Sequence, residues 1–149
     1  MSYLLDTNIL LRTLITEDPN YEITQKVIAS LRREKERLFI APQNLIELWN
    51  VATRPADQNG LGLSPIEAQA EVAGLKELFI LLPDREQIYP EWERLVQTYE
   101  VKGTKVHDTR LVACMLVNQI SHILTFNVKD FRRFSTEITP VSPKEIVNS

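Results

Sequence analysis

An α/β fold, with a parallel sheet covered on both faces by helices, is the class this sequence predicts. Three observations predict it. Short apolar runs of strand length, such as Phe79-Ile80-Leu81-Leu82, alternate along the chain with longer stretches of helical periodicity. The runs are continuously apolar, as strands buried on both faces are. No repeat, low-complexity tract or internal linker interrupts the alternation, and 149 residues suit one domain, 1–149, with a sizeable core.

Taken in order, Ser2 to Leu5 read as a short buried strand, followed by a helix from Asn8 to about Ile15. Glu17-Asp18-Pro19-Asn20 breaks that helix, and Pro19 suits the start of the next. From Tyr21 to Lys35 the spacing of Ile23, Val27, Ile28 and Leu31 is helical. Leu38-Phe39-Ile40-Ala41 is a second strand. Pro42 then introduces a helix to about Arg54, which Pro55 stops. Asp57 to Leu63, with Gly60 and Gly62, reads as loop. Ser64-Pro65-Ile66-Glu67 is a helix start: Ser64 caps, Pro65 sits in the first turn and Glu67 completes a capping box. Phe79 to Leu82 is a third strand, and a helix runs from about Ile88 or Pro90 to Tyr99. Lys102 to His107 reads as a basic loop, Asp108 to Gln119 as a helix and His122 to Thr125 as a fourth strand. Asn127 to Phe134 reads as a turn, Ile138-Thr139 as a last short strand, and Pro143 opens a frayed tail.

Composition narrows the class of function. Apolar residues at 44% and charged residues at 25% are a globular balance, not a disordered one. No apolar run approaches the roughly 20 residues of a membrane helix. The start, Met1-Ser2-Tyr3-Leu4-Leu5-Asp6, lacks the basic segment of a signal peptide and meets an acid early. The one cysteine, Cys114, cannot form a disulfide within the chain, so the cytoplasm is the expected compartment and no membrane partner is expected. A net charge of −3 argues against holding nucleic acid by bulk attraction. That objection weakens where acids hold a divalent cation, because the ion then dominates the local field.

In a parallel α/β sheet, ligands sit outside the carboxyl ends of the strands. Polar residues just after strands are therefore the candidates: Asp6 after the first, Asp130 shortly after the fourth, and Asp108 at the head of a helix. Each also has a plainer role. Asp6 and Asp108 suit helix caps, and Asp130 suits a turn. Glu47 shares a helical stripe with Gln43, Asn50 and Arg54, which is equally the pattern of a solvated face. Other chemistries find no support. There is no dinucleotide fingerprint, phosphate loop or nucleophile elbow. His107, His122 and Cys114 lack zinc-ligand spacing. An aspartyl-phosphate phosphatase of the haloacid-dehalogenase kind wants Asp two positions after its nucleophile, where this chain has Asn8.

Four segments stand out together: Leu4-Leu5-Asp6-Thr7-Asn8-Ile9-Leu10, Asn44-Leu45-Ile46-Glu47, His107-Asp108-Thr109-Arg110-Leu111-Val112-Ala113 and Leu124-Thr125-Phe126-Asn127-Val128-Lys129-Asp130-Phe131. In this order they resemble the PIN domain family, and within it VapC-type toxins and their stand-alone relatives. The resemblance spans nearly the whole chain. It implies a three-layer α/β/α sandwich around a central parallel sheet, with acids meeting at the strand ends to bind Mg²⁺ or Mn²⁺. It implies cleavage of RNA, a homodimer and a small antitoxin protein as partner. Carried over by motif, Asp6, Asp108, Glu47 and Asp130 are the catalytic, metal-binding acids. Thr7 and Asn8 support the Asp6 site, Thr125 lies beside it, and Asn127 stands where many relatives carry an Asp. An Asn offers a carbonyl oxygen without the charge, so a second ion should bind more weakly.

The donor set fits that expectation. Clustered carboxylates raise one another's pKa unless a cation is present. A hard cation held by oxygens relieves this, acidifies water and neutralises phosphate charge. An all-oxygen set suits Mg²⁺ or Mn²⁺ better than zinc. RNA would need positive charge nearby. Lys102, Lys105, Arg110 and Lys129 flank the motifs, with Arg12, Arg132 and Arg133 as further candidates. The competing reading is a PIN-fold module that binds RNA or protein with little or no nuclease activity, for which the Asn at 127 is the main point.

Overall fold

In the computed structural model, which describes residues 1–148, five strands form one all-parallel sheet in the order β3-β2-β1-β4-β5. The strands are β1 (Ser2–Leu5), β2 (Arg37–Ile40), β3 (Ile80–Leu81), β4 (His122–Leu124) and β5 (Thr139–Val141). The helices are α1 (Thr7–Leu14), α2 (Tyr21–Arg33), α3 (Pro42–Thr53), α4 (Pro65–Leu78), α5 (Ile88–Thr98), α6 (Lys105–Val117) and α7 (Pro143–Val147). None of the described helices is long and apolar enough to cross a membrane.

Strand side chains alternate between two cores. Tyr3, Leu5, Leu38, Ile40 and Leu124 pack with Ile9 and Leu10 of α1, Val27 and Leu31 of α2, Leu48 of α3 and Leu75 of α4. Leu4, Phe39 and Ile123 face the other way, onto Ile88 and Leu95 of α5, Leu111 to Met115 of α6, and Phe131 and Phe134. Helices thus cover both faces, the three-layer arrangement expected. Burial of both faces is why β1, β2 and β4 read as apolar runs; β3 is different, an edge strand of two residues whose Ile80 and Leu81 are exposed, with Phe79 and Leu82 on either side buried.

β1 is the central strand. The chain builds outward on one side through β2 and β3, then crosses back to place β4 against the other edge of β1. The carboxyl ends of β1 and β4 therefore flank a topological switch point. Pairing continues one residue beyond β1, the Asp6 amide donating to the Leu124 carbonyl at 3.0 Å. Asp6 and Thr125 follow directly from these two strand ends.

Four local readings are corrected. The segment read as a basic loop over 102–107 is helical from Lys105, so Asp108 lies in the first turn of α6 and does not cap it. Gly103, at φ +62°, supplies a left-handed turn that lets the helix begin two residues later. Residues 128–134 form a 3₁₀ helix (Val128–Phe134) rather than an irregular turn, anchored by the buried rings of Phe131 and Phe134. The last strand is displaced to Thr139–Val141 because Ile138 turns into the core. Pro140 is tolerated there because β5 is an edge strand. The tail expected to fray after Pro143 is the helix α7, capped by Ser142 and packed on α2. Ile146 and Val147 supply its apolar contacts.

Candidate active site

Asp6 is 8% exposed. Its carboxylate has two fixed donors: the Thr7 amide on Oδ1 at 2.8 Å and the Thr125 hydroxyl on Oδ2 at 2.7 Å. The first is a helix cap, since Asp6 is the N-cap of α1. The plain role and the candidate role thus coincide in one side chain. Burial pushes the Asp6 carboxyl up to about 6, the Thr125 and Thr7 hydrogen bonds oppose this, and the charges of Asp108 and Glu47 add to it.

Thr125 is fully buried and is the hub of the strand-end loop. Its hydroxyl oxygen accepts from the Asn127 amide at 2.9 Å and from Asn8 Nδ2 at 3.4 Å. Asn8 Oδ1 in turn accepts from the Phe126 amide at 3.3 Å. Asn8 and Thr125 therefore lock the head of α1 to the end of β4.

A second chain of hydrogen bonds reaches Glu47 from α1. Asn44 Nδ2 donates to Thr7 Oγ1 at 3.1 Å, and that hydroxyl donates to Glu47 Oε1 at 3.0 Å. Asn44 Oδ1 accepts from the Ala41 amide at 2.8 Å, which satisfies a donor at the start of α3. Asn44 is completely buried. Although it stands in the quoted motif, its supporting role was not anticipated. Its signal was available, as a polar residue three positions after the helix entry can reach back to the N-cap amide.

Asp108 enters from the first turn of α6. Burial raises its carboxyl, the Asp130 and Glu47 charges raise it further, and Lys105 and His107 pull the other way. Asp130 stands in the 3₁₀ helix after β4, with Lys105 Nζ at 2.7 Å from its Oδ1. Lys105, expected to touch RNA, thus already holds an acid. Arg110 is engaged as well, 3.3 Å from Gln43 Oε1 and 3.5 Å from Asp84 Oδ1. Lys102 and Lys129 are exposed and form no ion pair among the described residues.

Asp6, Glu47, Asp108 and Asp130 line one open cavity of about 360 Å³, together with Thr7, Asn8, Asn50 and Asn127. The four expected acids, drawn from four separate segments, therefore share one space. Among the described residues, however, no three acidic, His or Cys side chains are gathered tightly enough to hold an ion as they stand. Glu47 takes the Thr7 hydroxyl and Asp130 takes Lys105. The donor chemistry suits a hard cation, since every charged group facing the cavity is a carboxylate and Asn127 adds an amide. The carboxyls of Asp6 and Asp108 are raised chiefly by burial, with neighbouring acids adding to it, and a cation would favour their charged forms.

Comparison with known proteins bears on the fold and the family. Among solved structures, the fold is similar to VapBC-1 from nontypeable Haemophilus influenzae (22% identity, TM-score 0.70, 97% of this chain and 99% of that one). It is similar to VapBC2 from Rickettsia felis, bound to a DNA fragment from its promoter (15%, 0.69, 95% and 98%). It is also similar to VapC20 of Mycobacterium tuberculosis, described as a sarcin-ricin loop cleaving toxin (17%, 0.62, 93% and 98%). At these identities the likeness shows the fold. No curated protein sequence matches the chain. The model of the PIN domain family matches residues 3–137, from the first strand to beyond Asp130, and this chain belongs to the PIN domain family.

Proposed function

We propose that this chain is a divalent-cation-dependent ribonuclease, the toxin of a type II toxin–antitoxin pair. The observation that carries the reading is the meeting of Asp6, Glu47, Asp108 and Asp130 around one cavity at the switch point of the sheet. Family membership and the likeness to VapC folds support it. Asp6 and Asp108 are the residues that would hold Mg²⁺ or Mn²⁺, with Glu47, Asp130 and the Asn127 carbonyl completing the oxygen set. When bound, such a cation acidifies water and offsets phosphate charge.

The remaining work falls to the chain's own side chains. Thr125 and the Thr7 amide fix both oxygens of Asp6, so this ligand is preorganised. The Asn44–Thr7 chain aims Glu47 through Oε1. Glu47 Oε2 has no partner among the described residues and can accept a hydrogen bond from the attacking water. Exposed Lys102 and Lys129 supply charge for the RNA backbone beside an otherwise acidic pit.

An antitoxin partner is supported by the VapBC assemblies among similar folds. An exposed apolar hollow lined by Leu45, Ile46, Trp49 and Val72 offers a surface suited to a protein contact. Homodimerisation in the cytoplasm completes the reading. RNA cleavage with Mg²⁺ or Mn²⁺, compared between the native chain and Asp6→Asn, tests it: the native chain should cleave, and the variant should lose most of that activity. Equal activity in both would sink the site.

A second reading, an RNA- or protein-binding module of little activity, is favoured by the Lys105–Asp130 pair and by the amide at 127. RNA binding without cleavage under any divalent cation is its signature.

A further inference from the structure

A second cavity, of about 440 Å³, opens beside the acid pit. Glu47 and Asn50 line both, so the two share a wall. The second is built by α3, by the first turns of α6 and by Asp84, three residues beyond β3. Like the acids, Asp84 lies past the carboxyl end of a strand, on the ligand side of a parallel sheet. An RNA strand with a phosphate at the acids has this cavity within reach of a neighbouring nucleotide.

Arg110 is the guanidinium of this cavity, and it is held from two directions. Gln43, 9% exposed, donates through Nε2 to the His107 carbonyl at 2.7 Å, and its Oε1 accepts from Arg110 Nη1 at 3.3 Å. Arg110 Nη2 lies 3.5 Å from Asp84 Oδ1. That separation is longer than a charge-assisted hydrogen bond, so fork and carboxylate stand side by side with donors and acceptors still open. An arginine fork takes either a phosphate or a base edge. The charges here favour the base. Asp84 and Glu47 set two carboxylates against one guanidinium, which disfavours an anion. A base is uncharged and offers donors as well as acceptors. Ile46, 69% exposed, adds apolar surface for its flat face.

Among the four bases, guanine matches the pair. Its O6 and N7 are the acceptors that an arginine fork takes. Its N1–H and N2–H groups stand side by side, and a carboxylate has two acceptor oxygens to meet them. No other base carries two donor groups next to each other. That edge is free only in unpaired RNA. We propose that this cavity is a base-recognition subsite, in which Arg110 and Asp84 read an unpaired guanine next to the scissile phosphate. The inference rests on the ribonuclease reading above and names a substrate preference within it.

The test measures binding of four labelled pentanucleotide RNAs to the full chain, in a chelator at low salt, by fluorescence anisotropy. Each RNA is a run of uridines with G, A, C or U at its centre. The native chain should bind the guanine RNA about fivefold tighter or more than the other three, the least that a good bidentate pair discriminates. Arg110→Lys keeps the charge without the fork, so it should bind all four alike. Asp84→Asn should also lose most of the preference, even though losing a negative charge strengthens binding of every RNA. Both side chains are partly exposed, 39% and 50%, which favours folded variants, and circular dichroism checks them. The ratio between RNAs is the readout, because a phosphate contact would shift all four affinities together. Equal binding or no binding of the four RNAs by the native chain, or a guanine preference that survives in either folded variant, would overturn the subsite. The ribonuclease reading would still stand, since its test is cation-dependent cleavage lost in Asp6→Asn. A guanine preference in a chain that cleaves no RNA would keep the subsite and overturn the nuclease.

Discussion

At the scale of single residues, Asp6 carries a cost that its environment does not remove. Burial lifts its carboxyl to about 6 from an ordinary value of 3.8. The folded state therefore binds a proton more tightly than the unfolded state does. This group's contribution to stability is fully present below about pH 4 and is lost as pH rises through about 6. The difference is on the order of 3 kcal/mol, taken at 1.36 kcal/mol per unit. Asp6→Asn keeps a capping side chain without the charge. In chelator-treated protein, the variant should melt higher than the native chain near pH 8, and the advantage should vanish near pH 4. Thermal unfolding at the two pH values checks this, and equal melting temperatures near pH 8 would remove the burial cost from the account. Thr125 is the complementary case. Thr125→Val removes the donor to Asp6 Oδ2 and the acceptor for two nitrogens. Leaving the buried Asp6 oxygen and the two partly buried nitrogens without this partner should cost about 2–3 kcal/mol at neutral pH, whereas Thr125→Ser should cost much less. Denaturant titration separates the two.

At the scale of elements, helix starts are tied to one another across the site. Asn44 satisfies the entry of α3 and, through Thr7, links the entry of α1 to Glu47. Asn44→Ala should cost about 1–2 kcal/mol, from a lost cap and a hydroxyl left with one partner fewer. It should also lower the cleavage rate, because Glu47 loses its aim while keeping its charge. Stopped-time RNA cleavage beside an unfolding curve reads both effects. A rate that tracks stability alone would mean that Asn44 only braces the fold. Helix α7 makes a different case. It packs Ile146 and Val147 onto the core beneath α2. Truncation before Pro143 should lower the melting temperature while leaving the four acids in place, as α7 packs on α2, which carries none of them.

At the scale of the whole molecule, charge decides how a nucleic acid can be held. The chain carries −3 overall, and of its basic groups Lys105, Arg110, Arg12 and Arg94 are already paired with acids. RNA affinity in a chelator should therefore be low and fall steeply with salt. A divalent cation should strengthen it in the native chain and much less in Asp108→Asn. Fluorescence anisotropy with a labelled RNA measures this, and cation-independent affinity would assign the binding to the surface lysines instead.

Much of this molecule was legible in order of residues. The unbroken apolar runs, Pro42 and the Ser64–Glu67 box mark where strands and helices begin, because these are local preferences of the backbone and of caps. Asp6, Glu47, Asp108 and Asp130 were legible as candidates because each sits at a strand end or within a recognisable segment. What distance in sequence hides is partnership. The Thr125–Asp6 bond joins residues 119 apart, Asn44–Thr7 joins residues 37 apart, and Lys105–Asp130 joins residues 25 apart. Lys105 read as a free surface charge until the early start of α6 turned it toward Asp130. The sequence by itself determined the layered α/β class, since hydrophobic period and helix entry are written in neighbouring residues, and it offered the four acids as candidates through the motifs of the family resemblance. Only the tertiary structure decided which acid is buried, which is aimed and which is already held by a lysine, since those depend on the crossover that lays β4 against β1 and sets α6 beside the strand ends.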